Sequence, residues 1–164
     1  QTCALPIFKV REFRTKAEYS NEANALEKLQ KAEIRHQEIV ADCANWLRTN
    51  KRLPLLSDSV DLAFEIDNGL AVIEVKSASK DNFVSQFEKG LVQVLRYGWE
   101  ASSHYSRVFS KLVIELPRGV RAEELSEFSE FSEHLGVQLE FWNEEEPWPL
   151  RNPDLLVVPK IWFD

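Results

Sequence analysis

Three charged residues near one apolar stretch carry the strongest chemical signal in this 164-residue chain: Asp61 and, after twelve intervening residues, Glu74 and Lys76 on either side of Val75. Leu70 to Val75 is nearly continuous in apolar character, as expected of a central strand buried on both faces. Glu74 and Lys76 are two apart on that strand, so both side chains leave the same face, about 7 Å apart at Cα. Charges at the end of such a strand are costly unless something satisfies them. A divalent cation held by Asp61 and Glu74, with the Val75 backbone carbonyl as a third oxygen, would do so. Lys76 would then orient or deprotonate an attacking water and offset charge on a phosphate. Hard oxygen ligands, a water and a nearby cation are what metal-assisted hydrolysis of a phosphodiester needs. Taken one at a time, the same residues also read as exposed charges on a hairpin. It is their joint placement that argues for a site.

Positioning these groups falls to the flanking elements. Val60, Leu62, Phe64 and Ile66 alternate, which predicts a strand over Ser59–Ile66 with Asp61 near its middle, opposite its apolar neighbours. Asp67-Asn68-Gly69 is a turn signal that joins this strand to Leu70–Lys76 as a hairpin. Asn21–Asn50 contains neither Gly nor Pro and predicts a long helix, with Ile39, Cys43, Trp46 and Leu47 on its apolar face and His36 and Gln37 outside it. A second long helix is expected over Asn82–Ser102, turning Phe83, Phe87, Leu91, Val94 and Gly98 to the sheet. Beside that face runs a polar stripe, Gln86, Gly90, Gln93 and Tyr97. Glycine in mid-helix is unfavourable by about 1 kcal/mol against alanine, so Gly90 signals the close approach of another backbone or of a substrate. A strand over Lys111–Leu116, an amphipathic helix over Ala122–Leu135 (with Leu125, Phe128, Phe131 and Leu135 as its apolar positions) closed by Gly136, and a strand over Val137–Trp142 follow; Leu155–Val158 reads as a further edge strand. The order predicts an α/β fold with a central mixed sheet flanked by helices.

The totals bound the function. Hydrophobic residues make up 44% and charged residues 29%, an ordinary globular balance. A net charge of −7 argues against a general nucleic-acid coat protein, though not against an enzyme whose few cations line one cleft. Two cysteines, Cys3 and Cys43, form no zinc pattern or disulfide framework, and Cys43 on an apolar helical face reads as a buried structural thiol. No apolar run is long enough for a membrane span, which makes a cytoplasmic protein the default expectation. Gln1–Ile7 looks like the in-frame translation of a common DNA-sequencing adapter. Residues 1–7 are therefore read as an artefact within a 1–20 lead-in and linker, 21–164 as one domain, and the chain as the C-terminal part of a longer protein.

Val60-Asp61-Leu62-Ala63-Phe64, then Ile73-Glu74-Val75-Lys76-Ser77, then Gln93-Val94-Leu95-Arg96-Tyr97 in the form QxxxY resemble the PD-(D/E)xK, or restriction-endonuclease-like, nuclease superfamily. The QxxxY helix is similar to that of its exonuclease-type and recombination-repair members. The resemblance spans about Ile34 to Leu116, with Val60 in place of the family's proline. It implies an αβββαβ core, Mg²⁺ or Mn²⁺ as cofactor and DNA as partner. It also implies an auxiliary acid on the preceding helix, for which Glu38 is the matching residue, and a metal-binding His as in some members, for which His36 stands. Gln93 is then expected at Lys76 or a phosphate, and Tyr97 at Glu74 or stacked on DNA, with Gln86 on the same stripe. The plain alternative is a polar helix edge with a half-buried Tyr.

Basic residues near the site are few (Arg35, Lys51, Arg52, Lys80, Lys89 and Arg96), so grip on DNA is expected to involve upstream residues or a second subunit. The expected activity is a metal-dependent deoxyribonuclease of restriction, phage defence or DNA repair. The alternative is a nuclease-fold module that binds nucleic acid or protein without cutting.

Overall fold

The structure, a computed structural model, describes residues 11–12 and 24–144. The adapter-like segment 1–7 and the edge strand expected at Leu155–Val158 lie outside the described residues. The described chain is α/β, with a mixed sheet between helices. Its elements are β1 (Arg11–Glu12), α1 (Asn24–Thr49), β2 (Leu55–Leu56), β3 (Leu62–Ile66), β4 (Gly69–Lys76), α2 (Phe83–Ser102), β5 (Arg107–Glu115), a 3₁₀ turn (Ala122–Leu125), α3 (Ser126–His134) and β6 (Val137–Trp142). The strands lie in the order β1-β2-β3-β4-β5-β6. From β1 to β4 the pairing is antiparallel, and β4–β5 and β5–β6 are parallel. The parallel joins require crossovers, which α2 and α3 supply. No helix among the described residues is long and apolar enough to cross a membrane.

Two apolar layers hold the sheet. On one face Ile39, Val40, Cys43, Ala44 and Leu47 of α1 pack against Leu62, Phe64, Ala71, Ile73, Val75, Val113 and Trp142. On the other, Phe83, Phe87, Leu91, Val94 and Tyr97 of α2 pack against Ala63, Leu70, Val72, Leu112 and Ile114. Each fully buried aliphatic side chain contributes about 1.5–3 kcal/mol relative to exposure. β4 alternates between the two layers with every residue from Gly69 to Val75 buried, which explains its unbroken apolar run. The hairpin turn puts its positive φ at Asn68, a residue type that tolerates it. Gly69 is required for another reason: a Cβ there would lie 2.4 Å from the Arg107 carbonyl oxygen, where β5 starts alongside.

Several expectations needed correction. The strand expected over Ser59–Ile66 begins at Leu62, so Asp61 sits on a bend before β3 and not near a strand's middle. The alternation breaks there as well: Val60 joins the α2 layer, while Leu62 and Phe64 join the α1 layer. The helix expected over Ala122–Leu135 divides into the 3₁₀ turn and α3, and Phe131 is half exposed, whereas Phe128 packs edge-on to Phe83 and Phe87. β5 also starts four residues earlier than Lys111, and the short β2 was not anticipated.

Candidate active site

The bend at Asp61 is what builds the site. The β3–β4 ladder ends at the pair Leu62↔Ile73. Val75, two residues further on, directs its backbone toward the same neighbour, but β3 is no longer there to receive it. Asp61 Oδ2 accepts the orphaned Val75 N–H at 2.8 Å. The N–H and C=O of one extended residue point to the same neighbour, so the Val75 carbonyl also opens on the Asp61 side. On the flank of β4 that faces α2, Glu74 is buried at 3% exposure, and its Oε1 is in a close ion pair with Lys76 Nζ. Asp61, Glu74, Lys76 and the Val75 backbone therefore meet at the end of β4 that is also its C-terminal end in the parallel half of the sheet. In open α/β sheets ligands bind in that crevice.

The electrostatics are those of a group short of positive charge. Burial, then the negative field of Asp61, pushes the Glu74 carboxyl up to about 7, against the opposing pull of Lys76 and His36. His36, on α1, lies with Nε2 3.2 Å from Asp61 Oδ2. Burial disfavours its charged form, but the hydrogen bond and charge of Asp61 outweigh this and raise its pKa. Tyr97 is raised too, by burial and by the charge of Glu74, with a hydrogen bond to Gln93 acting the other way.

The residues of the polar stripe divide. Gly90 is where α2 closes on the site: a Cβ there would lie 2.5 Å from Leu112 Cδ1 and 3.0 Å from Lys76 Cγ, so the neighbours are side chains and not another backbone. Gln93 lies one helical turn from Tyr97 and holds its pKa down, and Tyr97 is buried within the electrostatic reach of Glu74 and Asp61. At 7% exposure its ring has little surface free to stack on a base. Gln86 is half-buried, and no side-chain bond ties it to the site among the described residues.

Glu38 is not brought to Asp61 and Glu74. It is exposed, and its Oε2 accepts Arg35 Nη1 at 3.1 Å. Side chains two apart on a helix point about 200° apart, so α1 can present His36 or Glu38 to the bend, and it presents His36. A carboxylate not singled out from the sequence, Glu115, closes the rim. Its Oε1 accepts Arg35 Nε at 2.8 Å, and its Oε2 accepts the Ala78 N–H at 3.2 Å, two residues past Lys76. The signal for it was the one that marked Glu74, an acid ending an apolar strand (Leu112-Val113-Ile114-Glu115).

Among the described residues, no group of three or more His, Cys, Asp and Glu side chains is arranged to hold a metal ion. A cation here would rest instead on two carboxylates and the Val75 carbonyl. That donor set is all hard oxygen, the class that Mg²⁺ and Mn²⁺ prefer, and burial and Asp61 raise the Glu74 carboxyl. Compared with known proteins, the chain matches no protein-family model, no curated protein and no solved structure.

Proposed function

We propose that this domain is a Mg²⁺- or Mn²⁺-dependent deoxyribonuclease on a restriction-endonuclease-like core, serving restriction, phage defence or DNA repair. One observation carries the reading: the Asp61 carboxylate, held by the Val75 N–H, and the buried Glu74 raise each other's need for a cation at the C-terminal end of β4. When bound, the metal ion would polarise a phosphodiester oxygen and acidify a water. Asp61 and Glu74, with the Val75 carbonyl, would hold it. Lys76, beside Glu74, supplies fixed positive charge where the phosphate gains negative charge, and it orients the attacking water. Tyr97, with Gln93 beside it on the same stripe, flanks Glu74 from the α2 side. His36 steadies Asp61 from the α1 side.

The test is cleavage of plasmid and linear DNA, with labelled RNA and branched DNA as further substrates, with and without Mg²⁺ or Mn²⁺. Asp61→Ala, Glu74→Ala and Lys76→Ala are each expected to abolish metal-dependent cleavage while circular dichroism stays unchanged. Full activity in any of them refutes the assignment. A second reading, a non-cutting module of the same fold, draws on one feature: Lys76 already pairs with Glu74 and partly meets its need for charge. Failure to bind Mg²⁺ or Mn²⁺ in calorimetry would favour it.

A further inference from the structure

A polyanionic substrate needs cations that are not already neutralised. Among the described residues, Arg35 is shared by Glu38, Glu115 and Glu144, and its guanidinium lies over the Trp142 ring. Lys31 pairs with Glu27, Arg96 with Glu100, Lys111 with Glu140 and Arg121 with Glu124. Arg118 lies 3.6 Å from Glu144. Three lysines, Lys51, Lys80 and Lys89, form no ion pair with another described residue. Lys51 follows α1, fifteen residues beyond His36, which is about 22 Å along a helix. Lys80 points toward the Gly119 turn, in the field of Glu124.

Lys89 is different in position. It precedes Gly90, the residue at which α2 comes into contact with Lys76. At about 100° per residue, Gln86, Gln93 and Lys89 occupy an arc of roughly 60° on α2. Burial falls across that arc from Tyr97, buried, through Gln86 and Gln93, half-buried, to Lys89, exposed. This flank lies beside Gly90, where a Cβ would come within 3.0 Å of the Lys76 stem. The opposite flank is turned to α3, where Phe87 meets Phe128 and Phe131. This flank of α2 thus carries two amides and an ammonium that has no ion-pair partner among the described residues.

We propose that Lys89 is a phosphate contact that holds the nucleic-acid backbone against this flank of α2. The inference rests on the nuclease reading above, and it locates grip within this domain, where the sequence pointed to upstream residues or a second subunit. Lys89 touches neither Asp61 nor Glu74, so it contributes to holding substrate and not to the bond-breaking step.

The experiment measures DNA binding by fluorescence anisotropy from 50 to 200 mM salt. It uses the full chain carrying Glu74→Gln to block cleavage, and the same chain with Lys89→Gln, Lys89→Arg or Lys51→Gln added. One lost phosphate contact lowers the slope of log affinity against log salt by about 0.9 for duplex and about 0.7 for single strands. For duplex, the parent should therefore lose about 3.5-fold more affinity over this range than Lys89→Gln does. Lys89→Arg and Lys51→Gln should keep the parent slope. In the cleaving chain, Lys89→Gln should raise KM and leave kcat. Equal slopes for Lys89→Gln and the parent overturn the proposal while leaving the nuclease reading intact. No binding by the parent at any salt also overturns it, and cleavage by the unmodified chain then decides whether the nuclease reading falls too.

Discussion

Replacing Glu74 by Gln should flatten the fall of stability with rising pH while abolishing cleavage, and the size of the effect follows from the burial of one carboxyl. Glu74 titrates near 7 in the folded chain against an ordinary 4.5. Between those values the folded state binds the proton more tightly than the unfolded state, so stability falls as pH rises through that window. At about 1.4 kcal/mol per unit, the fall amounts to about 3 kcal/mol by pH 8. For a chain of this size that is roughly 6–12 °C in Tm. His36, raised by Asp61, loses its own contribution in the same direction as pH rises through its folded value, so the unmodified curve alone cannot isolate Glu74. The difference between the unmodified chain and Glu74→Gln does. The assay is urea and thermal unfolding of both at pH 5, 6, 7 and 8 with EDTA present. The gap should move in favour of the variant by about 2–3 kcal/mol across the series. Parallel curves would refute the reasoning, because they would mean that Glu74 is neither desolvated nor opposed by Asp61.

Other substitutions separate support from chemistry. Asp61→Asn keeps an acceptor for the Val75 N–H and should fold with near-normal stability but not cut; Asp61→Ala strands that N–H, at a cost of about 1–3 kcal/mol in urea unfolding. Gly90→Ala drives a methyl into Leu112 and the Lys76 stem, so thermal melting should show a loss of about 1–3 kcal/mol, with lower kcat, despite alanine's better helix propensity. Lys111→Met leaves Glu140, buried at 6% exposure, without its partner and should destabilise by about 3–5 kcal/mol. The double change with Glu140→Leu should recover most of that loss in the same melts.

What the sequence made legible was what strand and helix periodicity encode. Glu74 and Lys76 could be assigned to one flank of a buried strand because β4 keeps its period without interruption. Gly90 could be flagged because glycine is out of place within a helix. Asp61 was found but misplaced: a bend of a single residue leaves the alternation of Leu62, Phe64 and Ile66 intact and flips only Val60 to the other layer. The choice between His36 and Glu38 depended on the rotation of α1 about its axis, which is set by Ile39, Cys43 and Leu47 packing on the sheet and by Arg35 reaching Glu115. Those contacts join residues 80 apart in sequence for Arg35 and Glu115, and no local pattern carries them. Ala122–Leu135 was read as one helix, with Phe131 among its apolar positions, because the 3₁₀ turn at Ala122–Leu125 has no signature distinct from a first α turn.

The central claim is that Asp61 and Glu74 form a cation site whose carboxyl at Glu74 is partly protonated near neutrality. Titration of Mn²⁺ into the chain by calorimetry at pH 6.5, in two buffers of different ionisation enthalpy, tests it most directly. Saturable binding with proton release, lost in both Asp61→Asn and Glu74→Gln, is the predicted result. Mn²⁺ binding that is absent, or that survives unchanged in either variant, would contradict the account.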